Sequence, residues 1–298
     1  MLKQLEVFLI AAVFVLVTAI VLIINTWQRA DEFKTHNKNT QKAVVNGAVY
    51  AISKHLQNRH RHVQLFVDEY EQLIIHLNRF PSDEQTADDI RNRLKQRFAD
   101  FFTFTVTDQK GTPVLEDIES LVGKACQLDL NNFSSSIKTN VKEVINQVVV
   151  HPQPFNYHYD IMAPIYMGGL SATDSRIFFA SFYLNELADI LKTHEVPGQS
   201  LMLVKQSDDN LIEVSREGAR EKFSRNIRLT HEEQERILVN AIIPNTAWKI
   251  INLPDVKFEN KYLHKLWREA IIIMCIVAFA LFLLIVVLIK IVERRAVN

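Results

Sequence analysis

The chain has 298 residues, of which 48% are apolar, with 34 basic against 34 acidic side chains; a balanced charge with no basic stripe excludes nucleic acid as a partner. Seven glycines leave few places for backbone to cradle a phosphate, and GxSxG, HExxH and CxxC patterns are missing, so nothing points to an enzyme or to a cofactor. Of the two cysteines, Cys126 is central and Cys275 sits inside an apolar run, so no intramolecular disulfide is expected and Cys126 reads as a buried apolar residue.

Uncharged sequence runs from Val7 to Gln28 and again from Ala270 to Ile289. About 20 apolar residues at 1.5 Å each match a hydrocarbon core of about 30 Å, so each run is expected to span a membrane. No small-x-small cleavage pattern precedes Trp27, which favours an anchor over a removable signal. Lys290, Arg294 and Arg295 after the second run resemble a stop-transfer flank. Two spans put both tails on one side. Basic residues do not orient the chain, because Lys3, Lys290, Arg294 and Arg295 in the tails are matched by Arg29, Lys34, Lys261, Lys265 and Arg268 in the loop. The tails carry a net +2, which leaves the loop at about −2.

Beyond the first span, Val45, Val49, Ile52, Leu56, Val63, Phe66, Tyr70, Leu73, Leu77 and Phe80 recur at steps of three and four, interrupted only by Arg59. This narrow seam predicts a helix about 54 Å long. Its second half is expected to pack on its own domain and its first half on a dimer partner. His55, His60 and His62 alternate with Arg59 and Arg61 on it; His60 and His62 point about 200° apart, so a solvated basic face is expected there, not a metal site.

Pro81 ends the helix, and Ser82 with Gln85 predicts a capping box for the next one, whose apolar face is Ile90, Leu94, Phe98 and Phe101. From Phe102 the period becomes two. Phe102, Phe104 and Val106 are expected on one buried face of a hairpin that turns at Asp108 to Gly111 and returns over Pro113 to Leu115. Glu116 to Asn156 reads as loops with a short helix around Ile137 to Val148. Strands follow at Tyr157 to Tyr166 and Arg176 to Leu184, joined through Gly168, Gly169 and Asp174. Asn185 is expected to cap a helix that ends at His194. A second strand group is predicted at Leu201 to Lys205, Leu211 to Val214, about Leu238 to Ile243, and Trp248 to Leu253, with a Thr230/Glu233 capping box inside it.

His151 and His158 flank Pro152 and Pro154 and are expected to pack in a loop, so no metal is assigned. Tyr157, Tyr159 and Asp160 are the candidate ligand contacts: two aromatic walls and an acceptor for an amine or hydroxyl at the start of a strand. Alternation places Tyr157 and Tyr159 on one face and His158 with Asp160 on the other.

In their order, FFTFTVTDQKGTPVLED, YHYDIMAPIY, RIFFASFYLNELADIL and NTAWKIINL resemble the double Cache sensor domains of bacterial transmembrane receptors over about residues 29–257. The resemblance implies an α+β fold: a long N-terminal helix carrying two PAS-like antiparallel-sheet modules, flanked by two transmembrane helices. It further implies tails at 1–6 and 290–298 in the cytoplasm, spans at 7–28 and within 258–289, and a sensor at 29–257. Within that sensor, 29–80 would be the stalk helix, 81–195 the membrane-distal module and 196–257 the membrane-proximal one. Expected partners are the inner membrane, a small-molecule ligand, a second copy of the chain, and a cytoplasmic effector (diguanylate cyclase, kinase or chemoreceptor type) lying beyond residue 298 or on a separate protein. The Arg-x-Trp element of amino-acid-binding members is absent from the sequence. A structural two-span assembly protein of the polysaccharide co-polymerase type is the rival expectation; a dimer fits the sensor and a ring fits the rival.

Overall fold

The computed structural model describes residues 2–115, 126, 128–135, 148–151, 156–166 and 175–297. In chain order they form α1 (Leu2–Glu69), α2 (Glu71–Arg79), α3 (Glu84–Arg97), β1 (Phe101–Val106), β2 (His158–Tyr166), β3 (Ser175–Tyr183), α4 (Asn185–His194), β4 (Gln199–Lys205), β5 (Asp208–Ser215), β6 (Gly218–Ala219), α5 (His231–Arg236), β7 (Asn240–Ile242), β8 (Trp248–Pro254) and α6 (Val256–Val297). Residues 128–135 are also helical. Of the helix expected around Ile137 to Val148, residues 137–147 lie outside the described residues, as does the connection through Gly168, Gly169 and Asp174, and Val148 forms an isolated bridge with Thr246 instead. The chain divides into two units, Met1–Thr40 with Pro254–Asn298, and Gln41–Leu253.

In the first unit, α1 and α6 each contain a stretch long and apolar enough to cross a membrane. Side chains such as Leu9, Phe14, Ile24, Ile276, Phe279 and Leu284 stand exposed on them. Next to the apolar stretches the two helices touch: Phe33 stacks on Tyr262 at 4.0 Å, and Asn37 Nδ2 donates to Glu259 Oε1 at 2.8 Å.

In the second unit the seam of α1 is buried from its start. Val45, Ala48, Ile52, Leu56, Val63 and Phe66 all lie in one core, so the first half, expected to await a dimer partner, is already packed. The single helix expected to Phe80 is broken after Glu69, and in α2 Leu77 is buried as expected, whereas Ile74 is buried in place of the half-buried Leu73 and Phe80 is exposed. The next cap falls one residue later than expected: Asp83, not Ser82, accepts from Thr86 N at 3.1 Å and from Thr86 Oγ1 at 2.8 Å.

A three-stranded antiparallel sheet, ordered β1-β3-β2, lies on these helices. Its near face presents Phe104, Val106, Tyr159, Ile161, Phe178 and Phe182 to them. Its far face presents Met162, Ile177 and Phe179 to Cys126, Leu130 and Phe133. Phe102 does not share a face with Phe104 and Val106 as expected. The β1 to β3 register shifts between Phe101 and Thr103, and this irregularity sends Phe102 to the far-face cluster. Beyond β1 the chain turns at Gly111, whose φ is 87°, and Val114 N bonds back to Val106 O at 2.9 Å.

The five-stranded sheet is ordered β6-β5-β4-β8-β7. Trp248, the first residue of β8, is fully buried and meets Tyr159 edge-on at 6.4 Å, so both sheets share one core. The Thr230/Glu233 capping box is present, whereas Asn185 is the first residue of α4 and not its cap; its Oδ1 accepts from Lys222 Nζ at 2.9 Å.

Phe178 lies at the centre of that core, against Phe66 and Phe104, each at 5.8 Å. Phe178→Ala is expected to cost about 3–5 kcal/mol in chemical denaturation of the detergent-solubilised protein. Tyr50→Ala, at an exposed site on α1, is expected to change stability by less than about 0.5 kcal/mol.

Candidate functional site

The only charged residue in the α1 seam falls where the helix period turns it inward, between Leu56 and Val63. Arg59 is 6% exposed, so the solvated basic face expected here holds for the exposed Arg61 and His62 and is corrected for Arg59: a guanidinium taken from water needs counter-charge and hydrogen bonds, and the fold supplies them. Arg59 Nη2 donates to Asp100 Oδ2 at 2.9 Å and to Glu186 Oε2 at 2.8 Å, and the guanidinium carbon lies 5.1 Å from the Phe98 ring and 4.7 Å from that of Phe182. Burial works against the charge of Arg59, but Tyr159, Asp100 and Glu186 outweigh it and hold its pKa above the ordinary value. His55 Nδ1 is 3.4 Å from Glu186 Oε2 and its Nε2 3.4 Å from the Tyr159 hydroxyl; burial, then Arg59, lowers its pKa. Burial pushes Asp100 up to about 6 against the pull of Arg59. His55, Asp100 and Glu186 bring three ligand atoms within 4.8 Å of one another, yet Arg59 already bonds both carboxylates. This cluster is an ion-pair network.

A second cluster occupies the far face of the three-stranded sheet. Alternation along β2 puts His158 and Asp160 on that face. The register Asp160↔Ser181 brings in Ser181, and the isolated bridge His151↔His158 brings in His151. Ser181 Oγ donates to Asp160 Oδ1 at 2.7 Å. His158 Nδ1 lies 2.7 Å from the Asn156 carbonyl, an acceptor only, so Nδ1 carries the proton and Nε2 the lone pair. That Nε2 faces Cys126 Sγ at 3.6 Å and Asp160 Oδ1 at 3.7 Å. His151 Nε2 is 3.1 Å from Asp160 Oδ2 and 3.2 Å from Asp129 Oδ2. Burial lowers the pKa of His158. For His151 burial acts in the same direction, but Asp129 and Asp160 prevail and raise it. Burial, reinforced by Asp160 and Asp129, pushes the Cys126 thiol up. The loop packing expected of the two histidines is corrected to a buried polar cluster.

The three expected ligand contacts do not converge. Asp160 belongs to the far-face cluster and is 2% exposed. Tyr159 is fully buried on the near face, between Phe182, Trp248 and His55. Tyr157 lies beneath Arg220, 5.3 Å from its guanidinium carbon, and lines an open cleft of about 330 Å³ with Asn156, Tyr183, Asn185 and Lys222. Asp100 and Glu186 were not singled out by sequence, while Cys126 was expected only as a buried apolar residue and His151 only as a loop-packing one. A charged residue inside an apolar seam was a signal for the first two; none existed for Cys126, which lies 32 residues from its partner.

Arg59→Ala leaves Asp100 buried without its cation, and the expected loss is about 3–5 kcal/mol in denaturant titrations. The raised Asp100 pKa sets a pH dependence. Between about 4, where the unfolded carboxyl ionises, and about 6, the folded state holds a proton that the unfolded state has lost. Wild type therefore loses stability relative to Asp100→Asn as pH rises through this window, and the gap is constant above it; melting temperatures of the two proteins from pH 4 to 8 check this.

No family model and no curated protein matches the sequence. Several solved structures do resemble it. The sensor domain of the V. cholerae histidine kinase DctB aligns at 8% identity and a TM-score of 0.44, covering 76% of this chain and 98% of that one. The ligand-binding domain of the Campylobacter jejuni chemoreceptor Tlp3, in complex with 4-methylisoleucine, aligns at 12% identity and a TM-score of 0.45, covering 76% and 94%. The Vibrio cholerae LuxQ periplasmic domain aligns at 12% identity and a TM-score of 0.36, covering 75% and 99%. Sensor, ligand-binding and periplasmic domains of signalling proteins are thus what this chain is similar to.

Proposed function

We propose that the chain is the sensing part of a bacterial inner-membrane receptor, in which Gln41–Leu253 lies in the periplasm and reports ligand occupancy through α1 and α6 to a cytoplasmic effector. Two exposed apolar helical stretches support the membrane assignment, because soluble proteins rarely leave contiguous apolar surface of that extent in water. The spans are those read from sequence, 7–28 and within 258–289, with tails 1–6 and 290–298 in the cytoplasm. The two sheets correspond to a membrane-distal module over 81–195 and a membrane-proximal one over 196–257, and the receptor works as a homodimer.

The observation that carries the sensing role is the far-face cluster. Buried ionisable groups are costly and are not needed to build an apolar sheet face, yet two histidines, an aspartate and a cysteine converge there. Asp160 is the ligand-contacting residue among the three chosen from sequence. Tyr159 serves the core, and Tyr157 lines the separate cleft.

The topology has a direct test. Cys126 is buried and a poor reporter, so the label goes on the exposed turn at Lys110. Lys110→Cys is expected to react with a membrane-impermeant maleimide in intact cells, while wild type does not. Labelling only after lysis would place the domain in the cytosol and sink the receptor reading.

A further inference from the structure

We propose that Cys126 Sγ, His158 Nε2 and Asp160 form a binding site for a divalent transition metal of zinc type, and that this ion is what the far face of the sheet recognises. The inference rests on the sensor reading for its purpose but not for its chemistry.

Three independent features carry it. The first is spacing. Donors placed about 2.0–2.3 Å from a tetrahedral ion stand about 3.3–3.6 Å apart, and Sγ to Nε2 is 3.6 Å and Nε2 to Oδ1 3.7 Å. The second of these distances is too long for a hydrogen bond, so the unprotonated Nε2 is met only by the weak S–H donor of Cys126. An ion at this position would take up that lone pair in coordination. The second feature is orientation. His158 donates Nδ1–H to the Asn156 carbonyl, the arrangement that fixes a metal-binding imidazole with its other nitrogen toward the ion. The third is an under-satisfied carboxylate: among the described residues Asp160 Oδ2 has no donor with hydrogen-bond geometry, although the residue is 2% exposed. The neighbouring His151 Nε2 approaches it to 3.1 Å without hydrogen-bond geometry.

Charge and softness select the ion. Binding converts the Cys126 thiol to a thiolate, its proton passing to solvent, so one dication faces one thiolate, one carboxylate and one neutral imidazole, and the buried site is neutral. A sulfur, nitrogen and oxygen set suits Zn²⁺, whereas Ca²⁺ and Mg²⁺ call for oxygen alone. Ser181, through its hydrogen bond, and His151, as an ion-pair partner, hold the carboxylate from outside the coordination sphere, and the described residues offer no fourth ligand. Two neighbours of the site, Asp129 and His151, line a cleft of about 250 Å³ together with Lys205, Glu213 and Trp248.

The test uses the full chain in detergent, titrated with Zn²⁺ and with Co²⁺ as a spectroscopic substitute. One Co²⁺ per chain is expected, with a thiolate-to-cobalt charge-transfer band and tetrahedral ligand-field bands, displaced by Zn²⁺ and untouched by Ca²⁺ or Mg²⁺. Cys126→Ser removes the charge-transfer band, His158→Gln and Asp160→Asn weaken binding at least about tenfold, and His151→Ala weakens it about 10–100-fold. Unshifted melting of the metal-free variants, relative to metal-free wild type, shows that they are folded. Absence of a thiolate band in folded wild type, or equal Zn²⁺ affinity in Cys126→Ser, overturns the site and leaves a Cys126 thiol bonded within the cluster. The Lys110→Cys labelling fails independently: a cytosolic domain that still binds the ion ends the receptor reading and keeps the metal site.

Discussion

The burial of one cation organises the larger unit. Arg59 sits in the seam of α1 where the helix period allows only an inward direction, and its charge has to be met inside the protein. Five parts of the chain meet it: Phe98 at the end of α3, Asp100 before β1, Phe182 on β3, Glu186 on α4, and Tyr159 on β2, which contributes to holding the guanidinium charged. An apolar residue at this position would pack at least as well, since a buried ion pair contributes little net stability against its desolvation cost. What the arginine adds is selection. Slipping α1 by one turn along the sheet would strand the charge, so one docking position is favoured over its neighbours.

The same sheet carries unlike chemistry on its two faces because strand alternation allows no other outcome. Near-face residues of β2 and β3 are aromatic and aliphatic and anchor the helices. One residue along, Asp160 and Ser181 point away from them toward Cys126 and the two histidines. A three-stranded sheet covered on both sides has no solvated face. Its polar far-face groups are therefore held by one another, and their number is more than structure alone requires.

Sequence reasoning reached the elements whose signals are local. The period of 3.5 located α1 and α2, the period of two located β2 and β3 to within one or two residues, and the Thr230/Glu233 spacing identified a capping box that is present. It missed where neighbours in space decide. Ser82 and Asp83 are both competent caps, and backbone geometry chose Asp83. A single irregularity in β1 moved Phe102 to the opposite face. The two clusters were only half legible: Arg59 was visible as an oddity in its seam, and His158 with Asp160 as partners by alternation. Asp100 and Glu186 are 41 and 127 residues from Arg59, distances at which no local pattern carries information.

Adjacency along β2 gives the receptor reading a physical route. Asp160 belongs to the far-face cluster and Tyr159, its neighbour in the chain, to the near face, where its hydroxyl lies 3.4 Å from His55 on α1. A ligand that draws Asp160 toward Cys126 acts on the same peptide plane that positions Tyr159, and through it on the environment of His55 and Arg59. Packed cores respond to such a pull by exchanging one arrangement for another and not by smooth deformation. The ligand then biases that exchange only to the extent that it binds one arrangement better than the other. In the proposed receptor the Arg59 network would resist small displacements of α1, and occupancy would have to supply enough differential affinity to shift an ion pair held by two carboxylates.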